Sequence, residues 1–198
     1  MAEKRKLKVI LDPAHGSDTA GKCSPDKSHF EWKWSRERCK KIKQLLQEQG
    51  FSVYYTNDGD TEIGLTKRAT SANTLCKGKE GEFLLISPHN NAAGMGDKWM
   101  TATGFSVYVA NTASSNSKSF ANILLDEFKY FFPKVKNRGL LQANFTVISA
   151  TNCPAVLIEF LFQDNKEEVE MLKKLTVNDK FEESVVYAVM KYNKKIFG

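Results

Sequence analysis

The chain has 198 residues, of which 41% are hydrophobic and 26% charged, a composition typical of a globular protein with one domain. A chain of this length can bury a core that folds without disulfides or a structural metal ion. The net charge of +6 favours anionic partners such as polymers or membrane surfaces, although a solvated lysine-rich surface explains it equally well. The basic residues are dispersed and form no recognition helix, so we expect no nucleic-acid partner.

Apolar runs and helical periodicity alternate along the chain. Apolar runs predict strands at residues 8–11, 51–56, 83–87, 104–109, 145–149 and 155–160. Helical spacing predicts helices at residues 31–49, 65–75, 117–132, 165–175 and 177–192. This alternation predicts an α/β fold, with a twisted, mostly parallel β-sheet of about six strands flanked by helices on both faces. We expect a single domain over residues 1–198, with its core at about 8–192, and a monomeric chain.

Three ionisable side chains follow or interrupt the apolar strands. His15 comes shortly after the first strand, His89 follows the third, and Glu159 lies within the last. The carboxyl ends of strands in such a sheet carry functional residues, so these side chains should converge on one edge. An ionised carboxylate in an apolar run is costly unless it is paired or close to a metal ion, which favours a functional role for Glu159. Spacing alone favours ordinary loop histidines that bond to the backbone over metal ligands.

Glu31 has two competing interpretations. Ser28 and Glu31 match the Ser-x-x-Glu capping box, in which the glutamate carboxylate accepts a hydrogen bond from the backbone N–H at the helix start. The residues alone favour this capping role. His29 lies in the same loop and could compete as a metal ligand, but we expect a solvated or packing histidine there.

The ordered set of motifs resembles the amidase-3 family of N-acetylmuramoyl-L-alanine amidases. That family shows D-x-G-H-G after the first strand, a glutamate that opens the first helix, S-x-H-x-N after a later strand, and a terminal L-x-E-x-x-F-x-x-N. The matching residues here are Asp12-Pro-Ala-His15-Gly16, Glu31, Ser87-Pro-His89-Asn-Asn91 and Leu157-Ile-Glu159-Phe-Leu-Phe162-Gln-Asp-Asn165, with Leu65, Arg68, Ala72, Asn73, Arg138 and Gly139 between them. The chain departs from the family at Ala14, where glycine is usual, and a positive φ there would be strained.

The resemblance implies that His15, Glu31 and His89 bind one zinc ion, which replaces the capping interpretation of Glu31. Two imidazoles and one carboxylate are a known catalytic zinc set that leaves a position for water. Glu159 would take the proton of that water and pass it to the leaving L-alanine nitrogen. Asp12 could orient His15, or could simply form the turn that follows the first strand. The other polar motif residues are expected to be structural: Asn73, Ser87 and Asn91.

The implied activity is zinc-dependent hydrolysis of the amide bond between N-acetylmuramic acid and L-alanine in peptidoglycan, which degrades the bacterial cell wall. Two alternatives stay open. One is another zinc hydrolase on a similar scaffold, such as a carboxypeptidase or a deacetylase. The other is a non-catalytic wall-binding module, which would have no use for a buried general base such as Glu159.

No targeting or membrane segment is evident in the sequence. The apolar stretch near the N-terminus is shorter than the roughly 7–15 residues of a signal peptide, and no run approaches the roughly 20 residues of a membrane span. We therefore expect a protein made in the cytoplasm without a signal peptide and not inserted in a membrane. The resemblance then favours a phage endolysin that reaches the wall through a holin-like pore over an exported host amidase. The cysteines form no CxxC pair and are expected to be free thiols: Cys23, Cys39, Cys76 and Cys153.

Overall fold

A computed structural model describes residues 5–198, so the first four positions of the expected domain lie outside the described residues. The strands in this range are β1 (Lys8–Leu11), β2 (Ser52–Tyr55), β3 (Phe83–Asn91), β4 (Phe105–Val109), β5 (Asn137–Gln142) and β6 (Ala155–Phe162). The helices are α1 (Glu31–Glu48), α2 (Leu65–Cys76), α3 (Ser115–Phe131), α4 (Thr146–Ser149), α5 (Lys166–Leu172) and α6 (Leu175–Phe197), and a 3-10 turn covers Glu80–Glu82.

The strands form one sheet in the order β2-β1-β3-β6-β4-β5. Strands β2, β1, β3 and β6 run parallel, whereas β4 pairs antiparallel with β6 and parallel with β5. The predicted α/β fold with a mostly parallel six-stranded sheet is therefore confirmed. Because β1, β3 and β6 are neighbours at the centre of the sheet, the segments that leave their carboxyl ends meet at one edge.

Helices cover both faces because the central strands are apolar on both faces. Val9 and Leu11 of β1 belong to a large core with α1, α3 and α6, whereas Ile10 between them belongs to a smaller core with α2 and α4. Successive side chains of a strand point to opposite faces, so a fully apolar strand needs a covering layer on each side. The sheet is thus a rigid platform, and its edge is the place where polar loops can be held in position.

The structure corrects one predicted strand and adds one strand that was not predicted. Residues 145–149 were expected as a strand, but they form the short helix α4, in which Val147 and Ile148 pack into the smaller core. A five-residue apolar run has the same composition in either state, and periodicity cannot separate the two at this length. The sixth strand is instead β5, which the sequence does not predict because it is a polar strand at the edge of the sheet, without fully buried residues.

Two strands run further than the apolar pattern indicates, and the extension of β3 carries the candidate residue His89 into the sheet. Strand β3 continues to Asn91, and β6 continues to Phe162. His89 and Glu159 become direct partners in the parallel register of β3 and β6, and the register shifts just beyond them. Leu161 in this irregular stretch has a positive φ of 60°, as expected where a bulge re-aims the residues beside a functional site.

No helix among residues 5–198 is long and apolar enough to cross a membrane. All four cysteines are free thiols, as the sequence predicts. Three are buried, and Cys23 is half-buried. Burial raises the pKa of the Cys39 thiol, which makes this side chain an inert part of the core.

Candidate metal centre and active site

Two histidines and one glutamate meet at the carboxyl edge of the sheet. His15 follows β1, Glu31 is the first residue of α1, and His89 lies near the end of β3. Glu31 Oε1 lies 2.8 Å from His89 Nδ1, and Glu31 Oε2 lies 3.3 Å from His15 Nε2. One potential ligand atom from each side chain falls within 4.8 Å of the other two, and no other such group occurs in residues 5–198. We call these three residues the ligand cluster; two imidazoles and a carboxylate are a donor set that fits zinc.

The electrostatics of the ligand cluster favour an ionised Glu31, although its side chain is only 1% exposed. Burial alone would raise the pKa of Glu31, but hydrogen bonds from His15 and His89 outweigh it and hold the pKa well below its usual range. For the imidazole of His89, burial has the opposite effect and lowers the pKa. The contact with Glu31 outweighs burial, so the pKa of His89 is raised. In the metal-free chain, a proton on the histidine side of the contact balances the negative charge of Glu31. A cation that binds here would take the place of that proton.

The capping interpretation of Glu31 is wrong, because the helix begins two residues later than a capping box requires. Helix α1 has Phe30 at its N-cap position and Glu31 at its first helical position. Ser28, which the box needs as the cap, instead donates its hydroxyl to Asp26 Oδ1 at 2.8 Å. The carboxylate of Glu31 is therefore free to face the histidines.

His29 is a buried packing histidine outside the ligand cluster. Its side chain is 7% exposed, and its Nε2 donates to Asn90 Oδ1 at 2.8 Å. Burial lowers the pKa of His29, so the neutral ring is favoured. Asn90 in turn donates to the carbonyl oxygen of Phe160, so this pair joins the loop before α1 to strands β3 and β6.

The backbone of His15 adopts a left-handed conformation with φ of 52°, which is uncommon for a residue other than glycine. Its carbonyl oxygen accepts hydrogen bonds from Arg36 Nη2 at 2.8 Å and from Arg68 Nη2 at 2.7 Å. These two guanidinium groups hold a strained peptide next to a metal-ligand candidate, where such strain is commonly retained. Ala14 is not among the residues with positive φ that the structure describes, so its replacement of the usual glycine is unstrained.

Asp12 does not orient His15 directly. Its buried carboxylate accepts from the Thr56 hydroxyl, from Arg68 Nη1 at 3.0 Å and from Ser87 Oγ at 2.7 Å. Arg68 also pairs with Glu62 through Nε at 2.9 Å. Arg68 also donates to the backbone carbonyl oxygens of Pro13 and His15. Asp12 therefore affects the position of His15 through Arg68.

We expect Arg68→Met to lower the free energy of unfolding by about 3–5 kcal/mol, because it leaves the carboxylate of Asp12 buried without a cation. Arg68 and Asp12 are both only 1% exposed. Urea unfolding measures the change. The matched control is Arg5→Met, since Arg5 is 77% exposed and lies 3.7 Å from Glu82, and an exposed pair of this kind contributes little. A similar small change in both variants would show that the buried network does not stabilise this edge of the sheet.

Glu159 lies beside the ligand cluster, in register with His89. The pKa of Glu159 is raised to about 7: burial is the largest cause and the charge of Glu31 adds to it, whereas His89 and Lys22 act in the opposite direction. Its buried Oε2 has no hydrogen-bond partner among the described residues. A carboxyl group with a pKa near neutrality can accept and donate protons at physiological pH, as a general acid–base group requires.

Glu159 and the ligand cluster line one cavity of about 310 Å³. Apolar side chains at its rim come from the start of α2 and from the region of α4, with Leu65 53% exposed and Phe145 39% exposed. A concave site with apolar walls and a few converging polar groups is the usual form of a small-ligand or substrate site. The arrangement can therefore receive a substrate group directly against the candidate metal ligands.

The sequence does not predict three contacts that hold the ligand cluster. The backbone N–H of Asn90 donates to Glu31 Oε1 at 3.1 Å, Gln163 Nε2 donates to Glu31 Oε2 at 3.0 Å, and Arg36 holds the His15 carbonyl group. The sequence gives only a weak indication that Gln163 belongs to the site, because it is a polar residue directly after an apolar strand. Asn73 donates to Ala150 and accepts from Asn152, and Ser87 donates to Asp12. Asn91 accepts from the backbone N–H of Ala92 and lines the cavity.

Solved structures with similar folds include N-acetylmuramoyl-L-alanine amidases. The chain superposes on the N-acetylmuramoyl-L-alanine amidase of Clostridium difficile 630 with a TM-score of 0.86 and 29% identity, covering 97% of this chain and 99% of that one. The catalytic domain of CwlV, an N-acetylmuramoyl-L-alanine amidase from Bacillus (Paenibacillus) polymyxa var. colistinus, gives a TM-score of 0.79 at 25% identity, covering 94% of this chain and 97% of that one.

Sequence relatives carry related names. The endolysin of Bacillus phage SPP1 is 32% identical over 169 residues, which cover 84% of this chain and 58% of that protein. The N-acetylmuramoyl-L-alanine amidase CwlM of Bacillus licheniformis is 27% identical, covering 84% of this chain and 61% of that protein. The chain thus spans less than two thirds of the length of these relatives. Residues 9–191 match the Amidase_3 family, described as N-acetylmuramoyl-L-alanine amidase, and the chain therefore belongs to that family.

Proposed function

We propose that this chain is a zinc-dependent N-acetylmuramoyl-L-alanine amidase, which hydrolyses the amide bond between N-acetylmuramic acid and L-alanine in peptidoglycan. The observation that carries the proposal is the position of Glu159 in register with His89, beside three potential ligand atoms that lie within 4.8 Å of one another. His15, Glu31 and His89 would hold the zinc ion, and Glu159 would be the catalytic acid–base group. The catalytic domain would span the chain, and the family match over residues 9–191 supports that extent.

The residues of the chain would divide the reaction between them. Zinc, when bound, supplies a Lewis acid that activates water and polarises the amide carbonyl group. The carboxylate of Glu159 accepts the proton of the attacking water and then donates it to the L-alanine nitrogen as the C–N bond breaks. A pKa near 7 for Glu159 makes both transfers feasible at neutral pH. The lactyl carboxylate of muramic acid and the free amine of the stem peptide are the products.

The bond that is cut separates this proposal from its alternatives. Purified sacculi that are digested with the chain should gain free L-alanine amino ends, identified by mass spectrometry, and no new reducing sugar ends. The cut lies at the only bond in peptidoglycan whose hydrolysis gives both a lactyl carboxylate and an L-alanine amine. Release of acetate would indicate a deacetylase, shortened stem peptides a carboxypeptidase, and binding to sacculi without any product a wall-binding module. Each of these three results contradicts the proposal.

The phage relative supports a further part of the proposal, that the chain acts as an endolysin which reaches the wall through a holin-like pore. The net charge of +6 would attract it to anionic wall polymers, and this attraction should weaken with salt because the Debye length falls from about 10 Å at 0.1 M to about 3 Å at 1 M. Bacteria that express the natural reading frame should lyse only when a membrane-permeabilising protein is co-expressed. Lysis without that protein would favour an exported host amidase instead.

A further inference from the structure

Gln163 is a buried carboxamide that contacts the ligand cluster from a variable position of the last motif. It follows the last residue of β6 and falls between Phe162 and Asn165, where the family pattern leaves the residue type open. Its side chain is 2% exposed, and its backbone N–H donates to the carbonyl oxygen of Asn91 at 2.8 Å. The backbone of Gln163 is therefore fixed by the strand that carries His89.

The contact between Gln163 and Glu31 fixes the orientation of the amide. Gln163 Nε2 lies 3.0 Å from Glu31 Oε2, and an ionised carboxylate oxygen can only accept a hydrogen bond. The NH₂ group of Gln163 must therefore face Glu31, and its carbonyl oxygen must face the other way. That oxygen, Oε1, is buried and has no hydrogen-bond partner in the part of the chain that the structure describes.

Each oxygen of Glu31 has one imidazole and one neutral N–H donor. Oε1 accepts from His89 Nδ1 and from the backbone N–H of Asn90, whereas Oε2 accepts from Gln163 and lies beside His15 Nε2. A bound cation takes the imidazole lone pairs, so the histidines can no longer hold the carboxylate as hydrogen-bond donors. The donors that still fix the plane of the carboxylate are the N–H of Asn90 and the amide of Gln163.

A buried carbonyl oxygen without a partner lowers the stability of the fold and offsets what the hydrogen bond to Glu31 contributes, so stability alone does not explain why glutamine stands at this position. A leucine or methionine would fill the space without a polar group to satisfy. Polar groups that weaken local packing are expected where a functional site requires them. Among residues 5–198, the one polar contact that the side chain of Gln163 makes is with a candidate metal ligand.

We infer that Gln163 is a positioning residue that orients the carboxylate of Glu31 and thereby tightens metal binding at the ligand cluster. This inference rests on the proposed function, since it takes the ligand cluster to be a zinc site. Donors that hold a metal-ligating carboxylate typically change metal affinity by about 10–100-fold when they are removed. Gln163 needs no contact with the substrate for this role.

Two variants, Gln163→Met and Gln163→Leu, test the inference by zinc affinity rather than by activity. Both remove the donor to Glu31 and also the unpartnered Oε1, so the urea midpoint of the metal-free protein should change little. The zinc Kd, measured by competition with a chromophoric chelator, should rise by about 10–100-fold. The visible spectrum of the Co²⁺-substituted protein should also change, because the carboxylate ligand is less well oriented.

The matched control is Asn178→Leu, which removes another buried carboxamide. Asn178 is 6% exposed, accepts from Trp34 Nε1 and donates to the carbonyl oxygen of Leu172, so its loss should lower the urea midpoint and leave the zinc Kd and the Co²⁺ spectrum unchanged. A wild-type zinc Kd in either folded Gln163 variant would overturn the inference and leave the proposed function intact. If the wild-type protein binds no zinc, the proposed function itself fails.

Discussion

Glu159→Gln is expected to lower turnover on peptidoglycan by about 10²–10⁴-fold, the usual contribution of general acid–base catalysis, while the protein keeps its fold and its metal. Glutamine has the shape of a protonated glutamate but cannot accept the proton of water. The side chain is not part of the ligand cluster, so its removal should not change metal content. Turnover with purified sacculi and metal analysis of the same sample measure the two effects.

The matched control for Glu159 is Glu182→Gln, because burial raises the pKa of Glu182 to about 7 as well. Glu182 lies on α6, 2% exposed, with Arg38 Nε 3.2 Å away, and it does not line the cavity of the ligand cluster. Its neutralisation should leave turnover unchanged. Equal losses in the two variants would show that neutralising a buried glutamate, rather than removing a catalytic group, explains the effect.

The same role for Glu159 sets the direction of the pH dependence. The carboxylate must be deprotonated to accept a proton, so kcat/KM should fall as the pH drops through the pKa of Glu159. That pKa is raised to about 7 in the metal-free chain, and a bound cation would bring it down again. The acid limb of the activity profile should therefore lie no higher than about pH 7, and a limb centred well above this value would contradict the assignment.

His15→Ala and His89→Ala should abolish metal binding and reduce activity to the background of the chelator-treated protein. A zinc site with three protein ligands loses most of its affinity when one ligand is removed. Neither histidine belongs to the two hydrophobic cores, so both variants should remain folded, as far-UV circular dichroism would verify. His89→Ala should unfold at lower urea than His15→Ala, because the closer hydrogen bond to buried Glu31 is the one from His89, at 2.8 Å.

Glu31→Gln separates the role of a ligand from the role of an acid–base group. Glu31 contacts both histidines, so its neutralisation should weaken zinc binding, and added zinc should restore part of the activity. Glu159→Gln should instead bind zinc normally and stay inactive at any zinc concentration. The opposite pattern, in which Glu159→Gln loses the metal and Glu31→Gln keeps it, would reverse the proposed roles.

The fold is predictable from the sequence where one strong pattern decides the structure. The buried strands β1, β3 and β6 are apolar runs bounded by polar segments, and the helices between them show clear periodicity. Strand β5 has neither signal, because an edge strand is stabilised by its hydrogen bonds to β4 rather than by burial. Helix α4 looks like a strand because Thr146, Val147 and Ile148 favour strands, and only its packing against α2 decides otherwise.

The candidate site is predictable only in part, since sequence order shows which residues follow a strand but not which atoms meet. His15, His89 and Glu159 could be singled out from their positions beside apolar strands. Glu31 could not be assigned from the residues alone, because a shift of two residues in the helix start decides between a cap and a side chain that faces the histidines. Gln163 reaches Glu31 across 132 positions, and no local pattern encodes such a contact.

The proposed activity requires that His15, Glu31 and His89 hold a metal ion on which hydrolysis of the muramoyl–L-alanine bond depends. The most direct test is a zinc titration of chelator-stripped protein, with release of L-alanine amino ends from purified sacculi as the readout. We expect no release from the stripped protein, and release that rises in proportion to added zinc until it levels off at about one equivalent per chain, the capacity of one three-ligand site. Full release from protein that is verified as metal-free would contradict it.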